Sequence, residues 1–522
     1  MRRKVHFAHP KIAVARFAAA MALVLLAGCA GIGSRQDSFE SATTRLFTVS
    51  YDNIAERYIE AISVETMAMA GLSGLSAIDP KVTVARSGKV VTLDARSALT
   101  RFEAPAGMDT RGWATLTASV VKAGRDHSEL LRAAKDEAIH QALFNGAISP
   151  LDGYTRYVSP DNAREERARR MGFGGIGIRL QAVEGRVEIL SVMPGTPAAA
   201  AGLLAGDRIL RVDNTLVLGW ELRDVIDKLR GSVNSKLVIE IDRAGAKAPI
   251  AFQMVREKIV PQTVTAKTDG RYLELKISNF NQDTYRTVQQ QVAETRRRMG
   301  PSLAGIVLDL RDNPGGLMDQ AVRVADLFLR KGTISTARGR HPESVQHFDA
   351  SGEDASGGLP MAVLVNGASA SAAEVVAAAM QDNGRAVVIG TTTYGKGTVQ
   401  TINELPNSGE LVVTWSRLHA PSGYAIHKLG VSPSVCTSGG IEGVARVVES
   451  IRTRENETQA LLARWRAQIF TDPEMNDRLR SACRPEKISR ELDMEVARAL
   501  LDDVVVYRQA IRITYGEVAR QQ

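Results

Sequence analysis

From about residue 264 onward, short apolar runs are followed by small-residue turns and then by apolar residues at three- and four-residue spacing. Tyr272 to Met299 reads as a strand and then an amphipathic helix. Ile306 to Leu310 reads as a buried strand, followed by a glycine turn and another helix. Ala362 to Val365 repeats the form, with a turn over Asn366 to Ser371 and a helix over Glu374 to Gln381; Ala386 to Ile389 reads as the next strand. Strands alternating with helices predict an α/β core with partly parallel strands. In such cores, sites gather where strands end and helices begin. The turns Asp312 to Gly316 and Asn366 to Ser371 are the two such places.

The flanks carry other rhythms. In residues 38–150, helical spacing over Arg45 to Met69 and over Glu129 to Phe144 predicts a mostly helical region. A hairpin is expected over Val82 to Leu93, around Ser87-Gly88. No catalytic constellation appears there, and a solvated helical cap or dimerisation arm is expected. Residues 172–257 run glycine loop, strand, helix, strand, turn, strand, helix, strand, with the second helix at Glu221 to Arg230. The tail 441–522 reads as helices over Gly443 to Arg452, Glu457 to Ile469 and Lys487 to Ile513. Such a tail would dock on the core, or pair with another subunit or an adaptor.

Composition narrows this picture. At 522 residues the chain is too long for one compact domain. With 44% hydrophobic and 24% charged residues, a large core is available. The formal charge is +8, but Arg2, Arg3, Lys4, Lys11 and Arg16 precede residue 29 with no acid among them, and without them +3 remains. No Lys/Arg cluster with interleaved aromatics stands out, so nucleic acid is not an expected partner. The basic stretch 1–16, the apolar run Phe17 to Leu26 and the small residues before Cys29 have the order of an export signal, too short to span a bilayer comfortably. In an oxidising compartment the remaining cysteines, Cys436 and Cys483, either pair or stay as two separate thiols.

Candidate chemistry lies between residues 362 and 400. A serine hydroxyl needs a base to act as nucleophile. The eight histidines, His6, His9, His127, His140, His341, His347, His419 and His427, form no recognisable triad, and no G-x-S-x-G elbow surrounds Ser371. A desolvated lysine serves instead, because burial disfavours its ammonium form. Lys396 fits, flanked by Gly395 and Gly397 in Thr393-Tyr394-Gly395-Lys396-Gly397-Thr398-Val399. If the run from Lys396 to Gln400 is extended, both side chains share a face, and the neutral amide oxygen of Gln400 orients the amine without adding charge. No metal or other cofactor is implied.

Several stretches carry resemblances. Leu26-Ala27-Gly28-Cys29 resembles the bacterial lipobox, which implies removal of residues 1–28 and a lipid anchor at Cys29. Ala30 then favours the outer over the inner membrane. Pro194-Gly195-Thr196-Pro197-Ala198, Ala201-Gly202-Leu203 and Gly206-Asp207-Arg208-Ile209 resemble a PDZ domain. In such a domain Gly175-Ile176-Gly177-Ile178 presents backbone N–H groups to a peptide's terminal carboxylate, and Ile176 and Ile178 floor an apolar pocket. Asn366 to Glu374, Gln381-Asp382 and Tyr394 to Gln400 resemble the bacterial and plastid C-terminal processing (tail-specific) peptidases. That likeness extends over about residues 148–435 and implies a mixed α/β fold, with a crotonase/ClpP-like α/β catalytic core (148–171 and 258–440) and an inserted PDZ β-domain (172–257). Helical regions over 29–150 and 441–522 flank it. It further implies Ser371 as nucleophile, in preference to Ser369, with Lys396 as general base and Gln400 as its orienter. Ala372 and either Gly315 or Gly316 would supply the oxyanion N–H groups. Tyr424 departs from the pattern, standing where the family usually has arginine. The function expected is an envelope endopeptidase, periplasm-facing and lipid-anchored, that captures apolar protein C-termini. The alternative is a catalytically idle PDZ scaffold.

Overall fold

The computed structural model describes residues 38–515 apart from 97, 440–442, 454 and 469–471; the export signal and Cys29 lie outside the described residues. The expected α/β core is present. A six-stranded sheet runs in the order Val264–Asp269, Tyr272–Ile277, Gly305–Asp309, Met361–Val365, Val387–Gly390, Val435–Cys436. Its first pair is antiparallel and the others parallel. The strands Gly305–Asp309 and Met361–Val365 are buried at every position, as strands covered on both faces must be. Helices Thr284–Met299, Met318–Asp326 and Ala372–Asp382 cover one face, and their apolar stripes join the largest core cluster. A second, antiparallel sheet orders Gln346–Asp349, Thr333–Gly339, Glu410–His419 and Thr398–Glu404, with Arg156–Val158 pairing onto Glu410–His419.

The N-terminal region differs from its expectation in three respects. Thr110–His127 is an unexpected 18-residue helix, capped by Asp109 and burying Trp113, Leu116, Val120 and Val121. The expected helix over 45–69 is two, Phe39–Arg57 and Val64–Ser73, because Ser63 caps a new start. The hairpin gains a third strand, Ala98–Glu103. Nor is this region a solvated cap. Phe47 stacks on Phe144 and Phe144 on Tyr157, at ring separations of 4.6 and 4.1 Å. The cluster continues into Leu411 and Val413 of the second sheet and into Leu405 in the loop between its last two strands. An apolar face this large stays out of water only by packing on the core.

Residues 173–259 form a separate β-unit with its own apolar cluster. Its sheet orders Ile250–Val255, Lys236–Asp242, Arg208–Val212, Arg186–Val192 and Ile178–Val183, which leaves Ile178–Val183 at an edge. The basic helix Pro160–Met171 joins this unit to the core. Arg164 pairs with Asp227 on one side, and Arg167 and Arg170 pair with Glu410 on the other.

The tail docks on the core. Helices Val444–Thr453, Glu491–Asp502 and Val504–Tyr515 cover the outer face of the parallel sheet. The expected helix 487–513 is divided at Asp503, and an unexpected helix, Pro473–Ser481, precedes it. Cys436 and Cys483 form a disulfide. No helix among the described residues is long and apolar enough to cross a membrane.

Candidate active site

Ser371 stands where the strand Met361–Val365 turns into the helix Ala372–Asp382. Its φ is 56°, a region that costs a non-glycine residue about 1–3 kcal/mol and so must be imposed by its surroundings. Two bonds impose it. The Ala370 N–H donates to the Asn313 carbonyl at 2.9 Å, and the Ser371 N–H donates to Glu374 Oε2 at 2.7 Å. The distinction between the two serines is now physical. Ser369 is fully buried, and its hydroxyl donates to the Leu310 carbonyl at 2.8 Å and accepts from the Asn366 N–H at 2.9 Å. Ser371 is only half-buried and sits at the open N-terminus of the helix.

Glu374 is the residue that sequence reasoning missed. Its carboxylate is completely buried. Oε1 accepts from the Thr393 hydroxyl at 2.5 Å and the Gly395 N–H at 2.7 Å. Oε2 accepts from the Ser371 N–H and from the Lys396 N–H at 2.9 Å. One carboxylate therefore ties the serine turn to the lysine loop. Burial raises its pKa, while the four donors hold the charged form and pull the other way. The signal was present in the sequence as a capping box, Ser371-x-x-Glu374 before an apolar run.

Lys396 lies in the loop between Val387–Gly390 and Thr398–Glu404. Its flanking glycines are required by close approach. A Cβ on Gly397 would lie 2.1 Å from the His427 nitrogen, and one on Gly395 would lie 3.0 Å from the Lys428 carbonyl carbon. The segment 426–430 thus crosses directly over the loop, and the Lys428 N–H donates to the Gly395 carbonyl at 2.7 Å. The amine is 5.3 Å from the centre of the Tyr154 ring, which His427 meets edge-on at 6.1 Å. Burial, and secondarily the charge of Arg156, push the Lys396 pKa down, against the smaller opposing pull of Glu374 and Asp152. Burial also pushes His427 down to about 4.

Gln400 sits differently from the extended-run picture. The strand begins only at Thr398, and a bulge falls between Val399 and Gln400. The Gln400 amide donates to the hydroxyls of Thr398 at 2.9 Å and Thr414 at 3.3 Å, which fixes the amide plane from its nitrogen side.

The two glycines are also distinguished. The Gly315 N–H donates to Asn313 Oδ1 at 2.8 Å, and the Gly315 carbonyl accepts from the Phe280 N–H at 2.9 Å. Leu317 donates to the Phe280 carbonyl at 2.8 Å. The Gly316 N–H takes part in none of these bonds. Gly315 still has to be glycine, because a Cβ there would lie 2.8 Å from Ser371 Cβ and 3.1 Å from the Ala372 nitrogen.

Behind both turns runs the tail segment 483–493. Glu486 accepts from the Gly367 N–H at 2.7 Å through its carbonyl, and Ser489 donates to Asp312 Oδ2 at 2.7 Å. Arg311, buried between Asp309 and Asp493, closes the contact.

In the β-unit, Gly175, Ile176, Gly177 and Ile178 line a groove of about 310 Å³ with Phe173, Leu190 and Ile226. It lies between the edge strand Ile178–Val183 and the helix Leu222–Leu229. Ile176 is buried, and Gly177 has φ 81° where a Cβ would lie 2.4 Å from Thr196. An open strand edge beside an apolar groove is the geometry for adding a peptide strand.

Comparison with known proteins follows this division. The profile of Peptidase family S41 matches residues 271–436, and that of the PDZ domain matches residues 188–243. A carboxy-terminal-processing protease of Bartonella bacilliformis is 37% identical over 302 residues, 58% of this chain and 70% of that protein. A probable CtpA-like serine protease of Staphylococcus aureus is 31% identical over 313 residues, 59% of this chain and 62% of that one. Among solved structures, a photosystem II D1 C-terminal processing protease is 25% identical, with a TM-score of 0.39, covering 75% of this chain and 92% of that one.

Proposed function

This chain belongs to peptidase family S41 and carries a PDZ domain, and from that premise we propose that it is a serine endopeptidase cutting envelope proteins near their C-termini. Ser371 is the nucleophile and Lys396 the general base. The neutral Lys396 amine takes the Ser371 hydroxyl proton as the oxygen attacks the scissile carbonyl carbon. The oxyanion so formed is received by the N–H groups of Ala372 and Gly316, each such donor contributing about 3 kcal/mol. Gly316 is preferred because the Gly315 N–H is already given to Asn313. Collapse breaks the peptide bond, and the Lys396 ammonium returns its proton to the leaving amine. Water, deprotonated by the same lysine, then hydrolyses the acyl ester. Gln400 orients the amine through its amide oxygen, since the nitrogen side is held by Thr398 and Thr414. The observation that carries this reading is the Glu374 carboxylate, which grips the backbone of Ser371 and Lys396 at once.

The test is cleavage of a peptide with an apolar C-terminus by the protein as it exists, beside Ser371→Ala and Lys396→Ala. Both variants should be inactive, as should Lys396→Arg, whose guanidinium does not deprotonate. The rate should rise with pH through an apparent pKa below the roughly 10.4 of a free lysine, since burial depresses the ammonium and only the neutral amine acts. Equal cleavage by wild type and variants, or a profile still climbing near 10.4, defeats the dyad. Cleavage by none of them leaves the binding scaffold as the function.

The PDZ groove captures the substrate's tail, and Cys29 carries a lipid that holds the protein in the envelope, facing the periplasm. The order of residues 1–29 supports the anchor, and a disulfide suits an oxidising compartment. Labelled palmitate should enter the wild type and not Cys29→Ser; equal labelling sinks the anchor.

A further inference from the structure

Asp382 is the last residue of the helix that begins at Ala372, and its side chain is 1% exposed. A carboxylate buried at the negative end of a helix dipole needs a cation. Arg466 supplies it, donating through Nε and Nη2 to Asp382 Oδ1 at 3.2 and 3.0 Å. Arg466 belongs to the tail helix Glu455–Arg466, beyond the end of the peptidase match at residue 436. The other carboxylate oxygen, Oδ2, accepts the N–H and hydroxyl of Ser422 at 3.1 and 2.6 Å. Ser422 opens the segment that crosses Lys396. The same tail holds that segment at three further points. Gln468 accepts the Ala425 N–H at 2.9 Å, Trp465 donates to the Gly430 carbonyl at 3.2 Å, and Arg480 donates to the Leu429 carbonyl at 2.5 Å. Tyr424 is buried within the electrostatic reach of Asp382 and Arg466, its hydroxyl without a partner among the described residues.

We propose that Arg466 is a positioning residue for catalysis. Its guanidinium, delivered from outside the residues matched by the peptidase profile, neutralises Asp382 and through it seats residues 420–430 on the Lys396 loop. This rests on the peptidase reading given above. The line of action runs from Arg466 to Asp382, to Ser422, along the segment to Lys428, and through its N–H to the Gly395 carbonyl beside the general base.

The test compares wild type, Arg466→Met, Arg466→Lys and the exchange variant Arg466→Met/Tyr424→Arg, with kcat and KM measured on the apolar-tailed peptide. Arg466→Met should lose about 10- to 100-fold in kcat with KM within about twofold, since a displaced base costs the chemical step and not tail capture. Arg466→Lys should fall between, and the exchange variant should recover most of the loss. Asp382→Asn/Arg466→Met removes both charges together, so a kcat loss in it does not trace to an unpaired buried carboxylate. Independently of activity, amide hydrogen exchange at Ser422 and Lys428 should quicken in Arg466→Met and slow again in the exchange variant. Wild-type kcat in Arg466→Met, or no recovery in a folded exchange variant, overturns the proposal. If wild type and Ser371→Ala cleave alike, the peptidase reading fails by itself. Exchange then decides the role of Arg466, and unchanged protection of Lys428 in Arg466→Met overturns that as well.

Discussion

Glu374 brings a carboxylate into a fully buried place, where burial raises its pKa and two hydrogen bonds to each oxygen favour the charged form. Its value is geometric. The donors come from residues 371, 393, 395 and 396, so the charge gathers two loops that the chain keeps apart. Glu374→Gln keeps the volume but replaces one acceptor oxygen with an NH₂ facing two donors. That change should cost roughly 2–4 kcal/mol of stability by chemical denaturation. It should cost about 100-fold in kcat through misplacement of base and nucleophile. A Gln variant with wild-type kcat would show that the carboxylate only fills space.

At the scale of elements, the chain enters the PDZ unit from the peptidase core through a helix whose two faces carry different partners. Pro160–Met171 gives Arg164 to the PDZ helix at Asp227 and Arg167 and Arg170 to Glu410 of the second sheet. On the proposed function, capture and chemistry are therefore separable. Ile226, on the helix that walls the groove, is one of its lining residues. Ile226→Asp should raise KM for an apolar-tailed peptide about tenfold or more while leaving kcat near wild type, because a carboxylate in that groove must be desolvated and also repels the peptide's own terminus. An unchanged KM would mean that the groove does not hold the tail in the measured reaction.

For the whole molecule, the tail packs directly behind the candidate active site. The segment 483–493 braces the Asn366–Gly367 turn and the Asp312 turn, and its start is fixed by the Cys436–Cys483 disulfide. The cross-link joins residues 47 apart, which corresponds to about 2–4 kcal/mol of stability. Reductant should therefore lower both the melting temperature and kcat of the wild type. It should leave Cys436→Ser/Cys483→Ser unchanged at a lower level of both. If reductant alters neither property of the wild type, the bond is dispensable. Acid should act on the N-terminal layer. His140 is buried against Thr43, and burial holds its pKa at about 4. Between pH 6.5 and 4 the unfolded chain binds a proton there that the folded one refuses, so stability falls as pH falls through that window.

The sequence by itself determined the elements whose signals are local. Apolar runs marked the parallel strands, glycines marked the turns at 315–316 and 395–397, and the PDZ turns appeared in order. Ser371 and Lys396 were also legible as candidates for the proposed chemistry, because a serine in a small-residue turn and a lysine between glycines are local patterns. Local signals also exist for the helix Thr110–His127 and for the Ser371-x-x-Glu374 capping box. Other features have no local signature at all. The spent hydroxyl of Ser369 and the engaged N–H of Gly315 are bonds to groups brought close by folding. The bulge at Gln400 depends on its partner strand, and Arg466 meets Asp382 across 84 residues. A hydrogen bond or ion pair depends on distance and direction in space, and sequence spacing specifies these only within a single helix or strand. Only the tertiary structure could show that the tail stands behind the two turns of the candidate site.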